Sequence, residues 1–205
     1  AALRKHHVIV FEKKDEVGGQ NILAGKVPGR QEITGVTRWL INQVNKLDID
    51  LRLGVDADEE MILREKPDAV VVATGSFPKT NPFPGEYAYP DVVNTLQILT
   101  GEVEPGDKVL LIDLDGHHQG TGTAEFLADR GKKVHVLVPA LFQGSQLGPL
   151  QDLFLARQRL ARKGVTCTPD IAVLEIQGTV AKGLNVYSNE MIDFGGYNTI
   201  VLAAG

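Results

Sequence analysis

The stretch LLIDLDGHHQGTGTAEFLADRG, residues 110–131, predicts a buried strand, a glycine-rich turn and a helix in direct succession. This is the form of a dinucleotide-binding loop, in which glycines let backbone N–H groups close on a diphosphate at a helix N-terminus. Asp113 and Asp115, however, stand where the first two glycines of such a loop belong. The stretch therefore predicts either a nucleotide site or a fold that keeps the shape of one.

An internal repeat extends this prediction to the rest of the chain. Residues 67–75, PDAVVVATG, and residues 197–205, YNTIVLAAG, share one form, a β-branched apolar run that ends in Ala-Thr-Gly or Ala-Ala-Gly. Each run closes a segment that also contains an earlier strand and a helix. We therefore predict an α/β fold with two tandem Rossmann-like, three-layer units of the disulfide-reductase type, in which both runs are buried strands.

The two units meet in the proline-rich residues 77–91, which predict a domain crossing. We place the first unit at residues 1–81 and the second at residues 82–205. Residues 1–5 have the pattern of the last turn of a helix, and a strand follows at once. Since a parallel strand of this kind normally follows a strand, a turn and a helix, we expect the first unit to be truncated, within a fragment of a longer protein.

Apolar spacing and turn residues place the remaining elements. We predict helices at 31–48 (with Thr34 as a possible cap), 58–66, 92–101 and 149–164, and strands at 6–14, 49–57, 108–113, 132–139 and 165–169, followed by short strands at 172–178, 184–188 and 191–194.

Composition limits the classes of function. The 205 residues are 43% hydrophobic and carry a net charge of −5, with no basic run, which favours a globular core and argues against nucleic acid or an anionic membrane as partner. No transmembrane stretch or secretory signal is present in the sequence. The single cysteine, Cys167, excludes a multi-cysteine metal site within the chain and fits a reducing cytoplasm. We expect Cys167 to be a small core residue rather than a nucleophile.

Three short stretches are candidates for cofactor binding. Glu12 ends an apolar strand, where a carboxylate can accept hydrogen bonds from an adenosine ribose. Gly18-Gly19-Gln20 can let a backbone approach a cofactor closely, and Thr74-Gly75 follows a predicted strand at its carboxyl end, where doubly wound sheets bind ligands. An exposed strand-end glutamate and plain turns are the alternatives.

Residues 6–40, 51–58 and 68–78 together resemble the nucleotide-binding region of the flavin oxidoreductase family that includes trimethylamine dehydrogenase and 2,4-dienoyl-CoA reductase. The resemblance implies an amino-terminal barrel that holds FMN and a cysteine-rich segment that holds an iron–sulfur cluster. Two domains of the disulfide-reductase type follow, which bind FAD or ADP and in some members NAD(P)H. Because the resemblance covers only these last two domains, we expect FMN and the cluster upstream of this chain.

The same resemblance implies roles for individual residues in an FAD or ADP site. Glu12 would hold the adenosine ribose, Gly18, Gly19 and Gln20 would line the centre of the cofactor, Val55 would contact adenine through its backbone, and Thr74 and Gly75 would approach the flavin or diphosphate end. The family's first glycine-rich loop would precede residue 1, so we expect weakened binding in this chain. No catalytic residue and no metal ligand is assigned.

The turn at 113–118 departs from the family members that use NAD(P)H, which carry a full glycine motif there. A carboxylate about 4 Å from a phosphate repels it by roughly 1 kcal/mol even in water. The next strand ends in Val138-Pro139, without the acid that reads NAD or the arginine that reads NADP. The turn resembles instead the trimethylamine dehydrogenase branch, whose members oxidise amines and pass electrons to a protein acceptor.

The parent is thus predicted to dehydrogenate or demethylate an amine or N-methyl compound, with this chain alone inactive. Its expected partners are a nucleotide cofactor, its own barrel domain and an electron-acceptor protein. The alternatives are an NAD(P)H-dependent reductase of enoates or dienoyl-CoA, a non-catalytic docking module, and a methyltransferase that uses the turn for S-adenosylmethionine. A divalent metal on Asp113, Asp115, His117 and His118 is a further alternative, weighed against four solvated turn residues.

Overall fold

The computed structural model describes residues 1–78, 83, 89–148 and 152–205. These residues form two compact units. The first contains Ala1–Gly25 and Gly29–Ser76, and the second contains Lys26–Pro28 and Phe77–Gly205. The boundary predicted between residues 81 and 82 lies outside the described residues and stays a prediction.

The first unit is built around two parallel strands. Its elements are a 3₁₀ helix (Ala2–Arg4), β1 (Val8–Glu12), α1 (Gln20–Lys26), α2 (Ile33–Lys46), β2 (Ile49–Leu53) and α3 (Glu59–Arg64). β1 pairs with β2 from Val8 opposite Ile49 to Glu12 opposite Leu53. The carboxyl ends of both strands therefore lie at one edge of this small sheet, which is where the predicted ribose-binding glutamate stands.

The helix predicted at 31–48 is confirmed as α2, although its start differs in detail. The N-cap is Glu32, whose side chain makes no capping hydrogen bond. Thr34, the predicted cap, lies inside the helix and donates its hydroxyl to the carbonyl oxygen of Gln31 at 2.7 Å, so that prediction was wrong. Trp39, the chain's one tryptophan, is 59% exposed on this helix. None of the helices in the described ranges is long and apolar enough to cross a membrane.

The strand predicted at residues 67–75 is absent from the structure. No strand is assigned there, and the side chains of Val71 and Val72 are 88% and 79% exposed. A parallel strand becomes buried only where strands flank it and helices cover both faces of the sheet. In the described part of the first unit the sheet holds β1 and β2 alone, so the apolar run has no strand beside it.

The second unit contains a five-stranded parallel sheet and a three-stranded antiparallel sheet, in the orders β3-β10-β4-β5-β6 and β7-β8-β9. Its elements are β3 (Val92–Asn94), α4 (Thr95–Thr100), β4 (Lys108–Asp113), α5 (His118–Ala128), β5 (Lys133–Leu137), α6 (Leu153–Arg162), β6 (Thr166–Thr168), β7 (Ile171–Gln177), β8 (Val180–Asn185), β9 (Met191–Phe194) and β10 (Thr199–Ala203). The α/β class and the parallel sheet are confirmed.

One helix of this unit was predicted too early. Residues 92–94 form β3, and α4 begins only after Asn94. The Asn94 side chain accepts a hydrogen bond from the N–H of Gln97 at 2.9 Å, and the Gln97 side chain accepts one from the N–H of Asn94 at 3.0 Å. This reciprocal capping box fixes the start of the helix, which leaves the two preceding valines free to pair with β10.

The core of the second unit is centred on β4 and β10. All five residues of β10 are buried between β3 and β4, and the last five residues of β4 are buried as well. Side chains such as Leu110, Ile200 and Leu202 pack in one cluster with residues of the antiparallel sheet. Each such side chain contributes about 1.5–3 kcal/mol on burial, so this cluster holds the unit together.

Helices α5 and α6 are joined by a buried carboxylate. The side chain of Glu125 on α5 is 3% exposed and accepts hydrogen bonds from Arg159 Nε at 2.9 Å and from Lys163 Nζ at 2.8 Å. Burial works against the charged form of Lys163, yet hydrogen bonds to Asp129 and Glu125 leave its pKa raised. The buried charge is therefore paired, as a buried carboxylate must be to be tolerated.

Cys167 on β6 is exposed, so its prediction as a core residue was wrong. β6 lies at the edge of the five-stranded sheet and is only three residues long, which gives its side chains little cover. Desolvation by neighbouring atoms still raises the pKa of the Cys167 thiol to about 11. The thiol is therefore poorly suited to act as a nucleophile near neutral pH, as the sequence indicated.

Candidate functional site

Glu12 and Val55, two of the predicted cofactor-binding residues, lie side by side. The backbone N–H of Val55 donates to the carbonyl oxygen of Glu12 at 2.9 Å, because the chain beyond β2 folds back against the end of β1. The Glu12 carboxylate accepts a hydrogen bond from the N–H of Lys14 at 2.9 Å and remains partly exposed. A carboxylate held in this way is oriented by its own backbone and accessible to a ligand hydroxyl.

Gly18 and Gly19 shape the turn before α1. Gly18 has a φ of +127°, and a Cβ added there would lie 2.9 Å from Thr37 Cγ2. Gly19 has a φ of +49°, and a Cβ added there would have no atom within 4 Å. Gly18 is thus required by its conformation and by its neighbour, whereas the space beside Gly19 is open to a ligand.

Gln20 connects this turn to the other predicted stretch. Its side-chain Nε2 donates to Ser76 Oγ at 2.8 Å. Ser76 follows Thr74 and Gly75, which are both exposed. The structure thus brings the seven predicted residues together in two groups, one around Glu12 and Val55 and one around Gln20 and the 74–76 turn. Their roles toward a cofactor stay predictions.

Asp113, at the end of β4, is almost completely buried. The residue is only 1% exposed. Its Oδ1 accepts hydrogen bonds from the N–H groups of Gly116 at 2.8 Å and Asp115 at 3.2 Å. The other oxygen, Oδ2, is buried without a hydrogen-bond partner among the described residues. Burial raises the pKa of Asp113 to about 6, although the two amide donors act in the opposite direction. The prediction of a solvated turn was therefore wrong for this residue.

Two of the four polar side chains that the metal alternative would use have partners within the protein. His118 Nε2 lies 3.2 Å from Asp152 Oδ2 at the start of α6, and Asp113 is occupied by backbone donors. Across the ranges that the structure describes, no group of three or more His, Cys, Asp or Glu side chains could hold a metal ion.

The end of β5, where a second ribose would be read, is hydrogen-bonded to β6 and β7. Val138 donates its N–H to the carbonyl oxygen of Thr168 at 3.3 Å and accepts from the N–H of Ile171 at 3.0 Å. Pro139 follows and is exposed. Neither residue carries a carboxylate or a guanidinium.

Sequence reasoning missed the segment 141–148, which packs onto the glycine turn. The N–H of Gln146 donates to the carbonyl oxygen of Gly116 at 3.1 Å, and Leu147 is fully buried. A Cβ added to Gly116 would lie 2.7 Å from Ser145 Oγ. The sequence of residues 141–148 indicates only a turn. The residues that this segment contacts lie about 30 positions earlier, so no local pattern could have predicted the contact.

The chain has relatives among proteins of known function. The chain is 40% identical over 179 residues to an N,N-dimethylglycine/sarcosine dehydrogenase from Chromohalobacter salexigens, covering 84% of this chain and 26% of that protein. It is 31% identical over 207 residues to an NADH oxidase from Thermoanaerobacter brockii, covering all of this chain and 31% of that protein. No family model matches the chain.

Solved structures place the fold. A 2-naphthoyl-CoA reductase in complex with 2-naphthoyl-CoA superposes with a TM-score of 0.90 at 29% identity, over 100% of this chain and 30% of that one. A thioredoxin reductase from T. acidophilum, at 15% identity and a TM-score of 0.68, covers 100% of this chain and 70% of that one and shares the fold alone.

The fold is α/β, of the disulfide-reductase type. The chain belongs to the flavin oxidoreductase family that the sequence resembles, and it matches the C-terminal FAD- and NAD-binding part of that family. It spans about a quarter to a third of the length of the relatives that it matches.

Proposed function

We propose that the chain is the nucleotide-binding part of a multi-domain flavin oxidoreductase that dehydrogenates or demethylates an amine or N-methyl compound. The parent would hold FMN and an iron–sulfur cluster outside this chain and would pass its electrons to an acceptor protein. The chain itself would contribute a cofactor site and a surface for its barrel domain, without catalytic residues of its own.

The observation that carries this proposal is the buried Asp113 at the turn after β4. An enzyme that takes electrons from NAD(P)H in its second unit needs that turn for the diphosphate, whereas an amine dehydrogenase does not. The 40% identity to a dehydrogenase of N,N-dimethylglycine and sarcosine supports the same direction.

The first unit would bind FAD or ADP. The residues present fit such a group, because the Glu12 carboxylate is oriented and accessible and the space beside Gly19 is open. The residues that would hold it are those in the two groups described above: Glu12 and Val55 at the adenosine end, Gly18, Gly19 and Gln20 along the centre, and Thr74 and Gly75 toward the flavin or diphosphate end. Glu12 would accept hydrogen bonds from the ribose hydroxyls, and FAD, where bound, would supply electron transfer.

A second candidate is an NAD(P)H-dependent reductase. It is favoured by the similarity to an NADH oxidase and by the likeness to a 2-naphthoyl-CoA reductase. In that case the second unit would have to accept a diphosphate beside Asp113 and Asp115, which the electrostatics of the turn oppose.

Calorimetric titration of the chain with ADP, FAD, NADH, NADPH and S-adenosylmethionine tests these assignments. We expect heat from ADP or FAD and none from the other three. Glu12→Gln should weaken ADP binding about tenfold, because a neutral amide accepts hydrogen bonds from the ribose hydroxyls less strongly than a carboxylate. Glu16→Gln, in the exposed loop after β1, is the matched control.

Other outcomes would reassign the chain. Micromolar binding of NADH or NADPH would favour the reductase, and binding of S-adenosylmethionine would favour a methyltransferase. Silence toward all five would leave a docking module and would contradict the proposed cofactor site.

A further inference from the structure

The backbone amides of the turn after β4 already have an anionic ligand. Both hydrogen bonds to Asp113 Oδ1 come from this turn, from Gly116 at 2.8 Å and from Asp115 at 3.2 Å. In a dinucleotide-binding loop, amides at this position between a strand and the N-terminus of a helix are presented to the diphosphate. Here they are directed at a carboxylate of the same chain.

The carboxylate also lies directly against the first turn of α5. A Cβ added to Gly120, in the first turn of α5, would lie 2.2 Å from Asp113 Cγ and within 2.5 Å of both carboxylate oxygens. Glycine at this position thus lets the Asp113 side chain approach the helix.

The outer side of the turn is covered by protein as well. Gln146 donates its N–H to the carbonyl oxygen of Gly116, and Ser145 Oγ would lie 2.7 Å from a Cβ on that glycine. Leu147, which follows, is fully buried. Gly116 is therefore buried between its contact to Asp113 and its contact to Gln146.

We propose that Asp113 is an intramolecular substitute for the diphosphate, a specificity-determining residue that closes the second unit to dinucleotides by occupying the turn. The inference rests on the proposed function only in regarding this turn as a former dinucleotide loop. Occupation differs from simple repulsion between charges. A neutral side chain of the same shape would still block the turn, whereas repulsion would disappear with the charge.

Two substitutions separate occupation from repulsion. Asp113→Asn keeps the shape and one acceptor oxygen but removes the charge, while Asp113→Gly removes the side chain. The probe is inorganic pyrophosphate, and the readout is the backbone amide chemical shifts of Gly116 and Asp115, which report on the second unit alone. From these shifts we expect a dissociation constant for pyrophosphate at least tenfold lower in Asp113→Gly than in the wild type. Asp113→Asn should have the same dissociation constant as the wild type.

Either of two results would overturn the inference. An equal gain in Asp113→Asn and Asp113→Gly would mean that charge alone excludes the anion. No gain in Asp113→Gly would mean that the side chain does not shield these amides.

A double-mutant cycle tests the same point without any ligand. Gly120→Ala should lower the urea midpoint clearly in the wild-type background, because the added methyl group collides with the carboxylate. In the Asp113→Gly background the same change should leave the midpoint almost unaltered. Gly35→Ala on α2, where an added Cβ meets no atom within 4 Å, is the matched control. Equal losses for Gly120→Ala in both backgrounds would contradict the proposal.

These results stay separate from those on the proposed function. ADP or FAD binding in the first unit is measured by heat and by Glu12→Gln, and it does not involve Asp113. A chain that binds no ADP but gains pyrophosphate shifts at Gly116 would refute the proposed cofactor site and retain this inference. ADP binding without any gain in Asp113→Gly would do the reverse.

Discussion

Residues 67–75 and 197–205 carry nearly the same sequence pattern and have opposite surroundings. Val71 and Val201 occupy matching positions in the two runs, yet the first is 88% exposed and the second is fully buried. The second run forms β10, with β3 on one side and β4 on the other. The first run forms no strand.

The difference teaches that a buried strand is specified by its neighbours as much as by its own residues. A β-branched apolar run favours an extended backbone, but its burial requires strands at both edges and helices on both faces. The second unit supplies these partners and the described part of the first unit does not.

The largest effect is expected at the matched valines themselves. Val201→Asp places an unpaired carboxylate in the centre of β10 and should cost at least about 4 kcal/mol of unfolding free energy. Val71→Asp should change it by no more than about 0.5 kcal/mol, since the side chain already faces solvent. Urea unfolding followed by circular dichroism measures both. Equal losses would mean that the two runs share one environment.

Breaking an ion pair should cost more unfolding free energy in the second unit than in the first. Replacing both Arg159 and Lys163 by alanine leaves the Glu125 carboxylate, 3% exposed, without its two cations and should cost about 3 kcal/mol. The Lys13–Asp56 pair in the first unit joins side chains that are each 72% exposed, so Lys13→Ala should leave the urea midpoint unchanged. A similar shift for both would show that burial does not decide the strength of these pairs.

The stability of the chain should depend on pH through Asp113. The folded-state pKa of Asp113 is raised from 3.8 to about 6, so its contribution to stability is fully present below about pH 4 and is lost as the pH rises through 6. Asp113→Asn does not titrate. The unfolding free energy of the variant minus that of the wild type should therefore rise between pH 4 and pH 7, by up to about 3 kcal/mol. A flat difference over this range would contradict the buried, ionised carboxylate.

The smallest effect is expected in the helices. Gly35→Ala on α2 should stabilise the chain by up to about 1 kcal/mol, because alanine is the better helix former and its Cβ meets no atom within 4 Å. Gly122→Ala on α5 should destabilise it, since that Cβ would lie 2.3 Å from Val27 Cγ1. Thermal unfolding compares the two. A gain from both changes would mean that the α5 glycines are not held by packing.

Local sequence patterns predicted much of the second unit. β4 was predicted at its observed bounds, and the helices α5 and α6 and the strand β10 follow from apolar spacing and glycine turns. Local signals failed where distant residues decide the outcome. The exposure of Val71 depends on strands that are not beside it, and the exposure of Cys167 depends on the edge position of β6.

The candidate site divides in the same way. The sequence singled out Asp113 and Asp115 as departures from a dinucleotide loop, because the glycine pattern there is explicit. It could not predict that the carboxylate turns inward to the Gly116 amide, or that residues 145–147 cover the turn. The hydrogen bond spans three positions but depends on the side-chain rotamer, and the cover depends on the path of the chain about 30 positions later, which no periodicity encodes.

Trp39 and Cys167 provide one natural spectroscopic or labelling position in each unit. The single tryptophan is exposed in the first unit, and the single cysteine is exposed in the second. The indole therefore reports on the first unit, and a dye attached to the thiol would report on the second, each without any substitution. With the thiol pKa near 11, labelling should be slow at neutral pH and accelerate as the solution becomes alkaline.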